Sequence, residues 1–294
     1  MTYIGRFAPT PTGPLHFGSL VTALASYLDA KHQRGQWLLR IEDLDPPRED
    51  PTASALIPKQ LIAHGLIWDG EVQVQSQHSA RYEQVLTFLK NKGQIFPCVC
   101  SRKMLADQAG LHHGDGCQTH SNLNTKETYA LRFLVKQQDV SFTDRVYGKY
   151  TQDLAQVGDQ ILKRKDGLYA YQLAVLVDDY DSGVTHVVRG LDLMDNTPRQ
   201  IHLLDQLGWF VPCYMHIPLI TNQQGQKLSK QNRAEALDLA NPVQNLLNAL
   251  DFLQQAKPPA STHKNPAAVL AWATEHWQVT YIPSLRAGLL APDV

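Results

Sequence analysis

Thr2-Tyr3-Ile4-Gly5-Arg6-Phe7-Ala8-Pro9-Thr10-Pro11-Thr12-Gly13-Pro14-Leu15-His16-Phe17-Gly18-Ser19 follows the initial Met1. Thr2–Phe7 is short and rich in β-formers, and it stops at a loop of prolines and a glycine. Beyond that loop Leu20, Leu24 and Leu28, with Val21 and Ala25, recur at helical spacing through about Lys31. Gly35 then introduces Trp37-Leu38-Leu39-Arg40-Ile41, a compact apolar strand. Strand, helix and strand in so short a span form a βαβ unit, which predicts a parallel sheet with a right-handed crossover. Its ligand site is expected at the carboxyl ends of the strands.

Outward from this unit, Asp50–Leu66 reads as a helix, with Pro58 predicting a kink or a broken first turn. Arg81–Lys92 is an amphipathic helix with Tyr82, Val85, Leu86 and Leu89 on one face, closed by Gly93. Between about Phe96 and Lys165 cysteine, histidine, glycine and polar residues dominate, and Tyr129–Val135 and Val140–Thr143 resemble short strands. This stretch reads as an insertion into the parallel sheet. Tyr169–Val177 and Thr185–Val188 are β-like, and Pro198–Leu207 is helical. Pro258-Pro259, in a polar stretch reaching Pro266, marks a linker before a last helix at Ala267–Trp277.

The 294 residues are 43% hydrophobic and 19% charged, which suits a soluble chain of one or two domains and excludes a small binding module. No apolar run approaches a membrane span, and Arg6, Pro9 and Pro11 stand where a signal peptide needs an apolar core. A cytoplasmic protein with no membrane partner is expected. Lysine and arginine number 27 against 28 acidic residues, a net charge of −1, so bulk charge drives no massive non-specific nucleic-acid binding. Lys163-Arg164-Lys165 is either a local basic strip or a solvated loop. In a cytoplasmic setting Cys98, Cys100, Cys117 and Cys213 are free thiols or metal ligands sooner than disulfides.

Two short motifs carry chemistry. His16-Phe17-Gly18-Ser19 starts the first helix, where free N–H groups and a partial positive charge favour phosphate. Gly18 admits a nucleotide close to the backbone, and His16 can donate to a phosphate oxygen. Lys227-Leu228-Ser229-Lys230-Gln231 follows a glycine-bearing turn, Asn222–Gln226, and makes a cationic loop suited to a negatively charged phosphoryl transition state. Each alone is weak; together on a βαβ scaffold they are far more specific.

With these residues in place the chain resembles the class I aminoacyl-tRNA synthetases, whose HIGH and KMSKS signatures match His16–Ser19 and Lys227–Gln231. Arg6–His16 resembles the opening of glutamyl-tRNA synthetases, and Arg40-Ile41-Glu42-Asp43-Leu44-Asp45 resembles their second strand. Tyr171–Asp179 and Thr185–Gly190 are similar to their central block, so the likeness runs from Thr2 to about Arg233. It implies an α/β fold, a Rossmann-type parallel sheet with an inserted zinc-containing subdomain and a short helical C-terminal region. The implied divisions are 1–95 and 166–240 for the two halves of the catalytic domain, 96–165 for the insertion, and 241–294 for the mainly helical end.

The resemblance also implies roles. Arg6 and Arg189 suit the carboxylates of glutamate, because guanidinium binds them bidentately. Glu42 suits the α-ammonium, Tyr171 adds a hydroxyl, and Phe7, Ala8, Pro9 and Thr10 line the pocket. An ordinary Arg6–Glu42 pair across strand ends is the competing structural reading. His16, Gly18, Leu228 and Lys230 would hold ATP, and His16, Lys227 and Lys230, with Mg²⁺, would stabilise the transfer to the α-phosphate.

Cys98-Val99-Cys100 precedes Cys117, with His112, His113 and His120 between or beside them. Zinc accepts mixed Cys/His tetrahedra, and free buried thiols are the alternative. Shortened synthetase relatives carry a structural zinc here with three cysteines and a fourth, non-cysteine ligand. His112 matches best where that family can place a tyrosine, so His112 or His113 completes Cys98, Cys100 and Cys117.

About sixty residues follow Gln231, too few for the anticodon-reading domain of a standard glutamyl-tRNA synthetase. Full signatures, a zinc-like insertion and that short end resemble the glutamyl-Q tRNA(Asp) synthetase family. It implies tRNA-independent, ATP-dependent activation of L-glutamate, then transfer to queuosine in the anticodon of tRNA(Asp); the sequence leaves the oligomeric state open, with a monomer expected. A truncated glutamyl-tRNA synthetase charging the 3′ end, a small nucleotidylyltransferase, and a non-enzymatic, zinc-stabilised RNA-binding paralogue are the alternatives.

Overall fold

The computed structural model describes residues 2–101, 103–105, 111–112, 128–135, 138–221, 236–285 and, by backbone alone, 289–290. The βαβ unit forms as expected: β1 (Ile4–Phe7), α1 (Phe17–His32) and β2 (Gln36–Ile41), with Ile4 opposite Gln36 and Phe7 opposite Leu39 in parallel register. Leu20, Leu24 and Leu28 are fully buried on the inner face of α1, each stabilising the fold by about 1.5–3 kcal/mol relative to exposure. The return into β2 depends on Gly35, because a Cβ there would lie 2.4 Å from the carbonyl oxygen of Tyr3.

The helix α2 (Ala53–Ala63) leads to β3 (Gln73–Val74), which adds to β2 in parallel, and α3 (Ser79–Asn91) follows. Pro58 lies inside α2, and the helix continues past it to Ala63 because Ile57 and Leu61 seat its inner face in the core. Then come β4 (Ile95–Cys98), β5 (Ala130–Phe133), β6 (Asp139–Asp144), β7 (Gly148–Asp153) and β8 (Gln160–Lys163). These strands are antiparallel, β4-β5-β8 as one sheet and β6-β7 as a hairpin, so the stretch does depart from the parallel sheet.

Next is α4 (Tyr171–Asp181), which corrects the expected strand at Tyr169–Val177. Leu173 to Asp179 are all buried, so this helix has no polar face through its middle, and its apolar run carries no helical period to read. The chain continues with β9 (His186–Gly190), α5 (Thr197–Leu207), β10 (Cys213–Ile217) and β11 (Ile220–Thr221). After them come α6 (Pro242–Phe252), which the sequence reading passed over, α7 (Pro266–Glu275) and β12 (Leu289–Leu290), which pairs with β11.

β9 and β10 are parallel, and β9 meets the free edge of β1. The Ile4 N–H donates to Thr185 Oγ1 and the Thr185 N–H to the Ile4 carbonyl, both at 2.9 Å. The order is therefore β3-β2-β1-β9-β10, and the carboxyl ends of β1 and β9 open side by side. One core joins β1, β2, α1 and α2 to α6, α7 and Trp277; another joins α3, α4 and α5 to Phe133 and Leu162 of the antiparallel sheet. Behind α1 the buried carboxylate of Asp29 gathers the Tyr3 hydroxyl, the Arg145 guanidinium and the Trp277 indole N–H, the last at 3.1 Å. Among the described residues no helix is long and apolar enough to cross a membrane.

His64 ties α2 to α6: Nδ1 donates to the Gln60 carbonyl at 2.7 Å and Nε2 accepts from Asn245 Nδ2 at 3.0 Å. That pattern needs a neutral ring, and burial holds the His64 pKa below its ordinary value; burial also lowers His186 and His216. A histidine so depressed binds fewer protons folded than unfolded. Its stabilisation is full above 6.5 and is lost as pH falls below that towards the folded value. Thermal unfolding is expected to show a lower Tm at about pH 5.5 than at about pH 7.5, each group contributing at most about 1.4 kcal/mol per pH unit. An equal or higher Tm in acid contradicts this.

Candidate active site

At the mouth of the parallel sheet lies a cleft of about 840 Å³, lined among others by Phe7, Pro9, Thr10, His16, Gly18 and Ile220. His16 is the N-cap of α1, and its Nδ1 accepts the Ser19 N–H at 3.3 Å. That acceptance puts the ring proton on Nε2, the atom suited to donate to a phosphate oxygen. Gly18 lies close beneath the ring: a Cβ there would stand 3.1 Å from His16 Cε1, so the ring would have to give by a few tenths of an ångström. Ala8 and Pro9 are half-buried and Thr10 is exposed, and the Pro9 carbonyl is fixed by the Glu42 N–H at 3.0 Å.

Beside the cleft is a buried ionic network. Arg6 Nε lies 3.0 Å from Asp179 Oδ1, and Arg40 Nη1 lies 2.8 Å from the same oxygen. Arg40 Nη2 donates to Glu42 Oε1 at 3.3 Å, so the guanidinium bonded to Glu42 is not that of Arg6 but that of Arg40, on the strand β2 that Glu42 directly follows. Burial raises the Glu42 pKa against the pull of Arg40 and Arg6, whereas for Asp179 burial pushes up and the two guanidiniums prevail, holding the carboxyl below its ordinary value. Asp178, next in line, accepts from Gln75 Nε2 at 2.7 Å and from the Tyr82 hydroxyl at 2.8 Å.

Arg189, at the end of β9, is 5% exposed and is held differently. Nε donates to His216 Nε2 at 3.1 Å, Nη1 to the Tyr171 hydroxyl at 3.3 Å, and Nη2 to Thr197 Oγ1 at 2.7 Å and the Leu193 carbonyl at 3.3 Å. Every partner is neutral, and among the described residues Arg189 has no carboxylate. Burial raises the Tyr171 pKa, with Arg189, Glu42, Arg6 and Asp179 all close enough to act on it. Arg6, Glu42, Tyr171 and Arg189 therefore share one electrostatic neighbourhood beside the Phe7–Thr10 wall.

Asp178, Asp179, Arg40, Thr197 and His216 had no site role in the sequence reading. Two adjacent carboxylates directly after the apolar run Leu173–Val177 were the available signal for the first pair, since buried charge requires partners. His216 sits in an apolar strand with no such marker.

Lys227, Leu228 and Lys230 lie outside the described residues, as do His113 and Cys117. Near the ends of the described residues on either side of the second motif, Ile220 lies against the cleft, Ala236 bridges to His16, and the Leu237 N–H donates to the Leu15 carbonyl at 2.9 Å. Both approaches to that motif thus meet the start of α1.

At and beyond the end of β4, Cys98, Cys100 and His112 converge, their donor atoms all within 4.8 Å of one another. His112 Nε2 is 3.3 Å from Cys98 Sγ, and Nδ1 is 2.9 Å from Asp159 Oδ2. A carboxylate on Nδ1 fixes the tautomer and turns the Nε2 lone pair towards the sulfurs. Gly158, with φ +72°, makes this approach possible, because a Cβ there would lie 2.7 Å from the His112 carbonyl oxygen. Burial pushes the Cys98 thiol up, but the Cys100 N–H and the Arg132 guanidinium outweigh it and the pKa is lowered. The donor set suits a soft divalent metal such as zinc.

Residues 4–241 match the family model for tRNA synthetases class I (E and Q), catalytic domain. The chain belongs to this family. This class I synthetase chain is 49% identical over 286 residues to the glutamyl-Q tRNA(Asp) synthetase of Thiobacillus denitrificans, covering 96% of this chain and 95% of that one. It is 50% identical over 277 residues to the protein of that name from Pseudomonas putida, covering 94% and 93%. The fold of the synthetase chain is that of the glutamate tRNA ligase from Elizabethkingia meningosepticum, solved in complex with its amino acid. The TM-score is 0.83 at 22% identity, over 99% of this chain and 67% of the other.

Proposed function

We propose that the chain activates L-glutamate with ATP, without tRNA in that step, and then transfers the glutamyl group to the queuosine base in the anticodon of tRNA(Asp). The observation that carries this reading is the near end-to-end likeness to proteins named glutamyl-Q tRNA(Asp) synthetase, 47–50% identical over 94–98% of this chain. The reaction belongs in the cytoplasm, where ATP and tRNA are available.

The α-carboxylate of glutamate attacks the α-phosphate of ATP, which enters as its Mg²⁺ complex, giving glutamyl-adenylate and pyrophosphate. The attacking carboxylate is already ionised at neutral pH, so the site needs no general base; its work is alignment and charge stabilisation. Arg189 takes a glutamate carboxylate, with the Tyr171 hydroxyl beside it. Arg6 directs Nε to Asp179 and has no hydrogen bond from Nη2 among the described residues, which suits that nitrogen to the second carboxylate. Glu42 holds the ammonium, a cation that offsets the burial raising its pKa. His16 donates to the phosphates over Gly18, Leu228 lies against the nucleotide, and Lys227 and Lys230 neutralise charge developing on the phosphorus.

Glutamate transfer to tRNA(Asp) with and without queuosine, followed by mapping of the labelled nucleotide, tests this. Label on queuosine and none on unmodified tRNA is expected. Label on the 3′-terminal adenosine overturns the assignment.

Cys98, Cys100 and His112, with Cys117, would hold a structural Zn²⁺ that cross-links the insertion and takes no part in the reaction. The purified protein is expected to contain about one zinc per chain, and Cys98→Ser to lose it together with several degrees of Tm. Zinc-free, fully stable protein ends that reading.

A further inference from the structure

His216 on β10 is fully buried, and Asp144, the last residue of β6, reaches it from the insertion. Asp144 Oδ2 accepts the His216 backbone N–H at 3.0 Å and lies 2.7 Å from Nδ1, while Oδ1 accepts the Val146 and Tyr147 N–H groups at 2.9 and 3.0 Å. A carboxylate only accepts, so Nδ1 carries the ring proton and Nε2 keeps a lone pair. That lone pair faces Arg189 Nε at 3.1 Å, and Thr197 Oγ1 is 3.2 Å from the same nitrogen.

The consequence lies in the geometry of the guanidinium. Its five N–H groups are coplanar, so fixing Nε and Nη2 fixes the tilt of the whole fork. His216 takes Nε, Thr197 and Leu193 take Nη2, and Tyr171 takes one hydrogen of Nη1. One Nη1 hydrogen and an uncompensated charge are left for a ligand. The opposite tautomer, or an imidazolium, would set an N–H of His216 against the N–H of Arg189. Burial lowers the His216 pKa, which favours the neutral ring.

We propose that Asp144 and His216 are positioning residues that fix the tilt at which Arg189 meets the glutamate carboxylate. This rests on the reading of Arg189 as a carboxylate-binding residue.

The test uses the full chain and glutamate-dependent ATP–pyrophosphate exchange, comparing wild type with His216→Asn, His216→Gln and Arg189→Lys. The asparagine amide nitrogen stands near the place of Nδ1, keeping the bond to Asp144 and offering Arg189 nothing. The glutamine amide oxygen stands near the place of Nε2 and accepts from Arg189. His216→Asn is expected to raise the KM for glutamate about tenfold with much smaller changes in kcat and in the KM for ATP, and His216→Gln to recover most of that loss. A merely structural histidine predicts no such split between KM and kcat; that result, or an asparagine variant as good as the glutamine one, overturns the proposal. If Arg189→Lys leaves the glutamate KM unchanged, the reading of Arg189 itself fails. If it raises that KM and His216→Asn does not, only the positioning role fails. A measurement on wild type covers variants that do not fold: nitrogen NMR of the His216 ring should show a protonated Nδ1 and a bare Nε2, and the reverse tautomer overturns the proposal.

Discussion

Arg189→Ala is expected to lower kcat/KM for glutamate by roughly 10²–10³, most of it through KM, in ATP–pyrophosphate exchange. The guanidinium is almost wholly buried and its protein partners are all neutral, so under the proposed function a substrate carboxylate would be the charge that completes the site. Removing one member of a buried ion pair costs about 3–5 kcal/mol, and every 1.4 kcal/mol is about tenfold; the open cleft beside the site places the effect at the lower end. Glutamine shares the α-carboxylate and lacks only that of the side chain, so discrimination against it should shrink in the variant if Arg189 takes the side-chain carboxylate and should stay if Arg189 takes the α-carboxylate. Unchanged selectivity between glutamate and glutamine in Arg189→Ala would show that the two are told apart elsewhere.

Asp179→Ala is expected to destabilise the protein by about 3–5 kcal/mol, on the order of 10 °C in Tm. Two buried guanidiniums, Arg6 and Arg40, share this carboxylate, and Arg40 is fully buried with Glu42 and Asp178 as its other counter-charges at 3.3 and 3.9 Å. Losing Asp179 therefore strips buried Arg6 of its carboxylate partner and Arg40 of its nearest one, leaving their guanidinium groups underpaired. Asp181→Ala on the same helix is the control: its partner Arg81 is 38% exposed, and such pairs contribute about 0–1 kcal/mol. Because Asp179 has a depressed pKa when folded, its contribution is present above 3.8 and is lost as pH falls through the folded value. Equal Tm shifts for the two variants, measured near neutral pH, would refute the central role of Asp179.

The first βαβ unit was legible because its signals are local: a helical leucine period, a glycine and prolines marking the loop, and a glycine before the second strand. α4 was not, because a helix buried on all sides loses the alternation by which helices are recognised, and its tyrosine, leucines and valines imitate a strand. Site residues divide the same way. His16 and Gly18 sit at a helix start that the sequence marks, but the partnership of Arg6 with Asp179 spans 173 residues and has no local trace. Position favoured His112 but left His113 open. The ring of His112 is oriented by Asp159, 47 residues away, through contacts that only the folded chain makes.

The carboxylate of Asp29 has a consequence for how the chain is made. Its partner Tyr3 precedes it, but Arg145 and Trp277 come 116 and 248 residues later. At a synthesis rate of about 5–20 residues per second, the interval before Trp277 is added is roughly 12–50 s. For that time the oldest helix carries a charge with its shell incomplete. The first part of the catalytic unit to be translated is thus among the last to be finished, and its closure waits on an indole from the far end of the polypeptide.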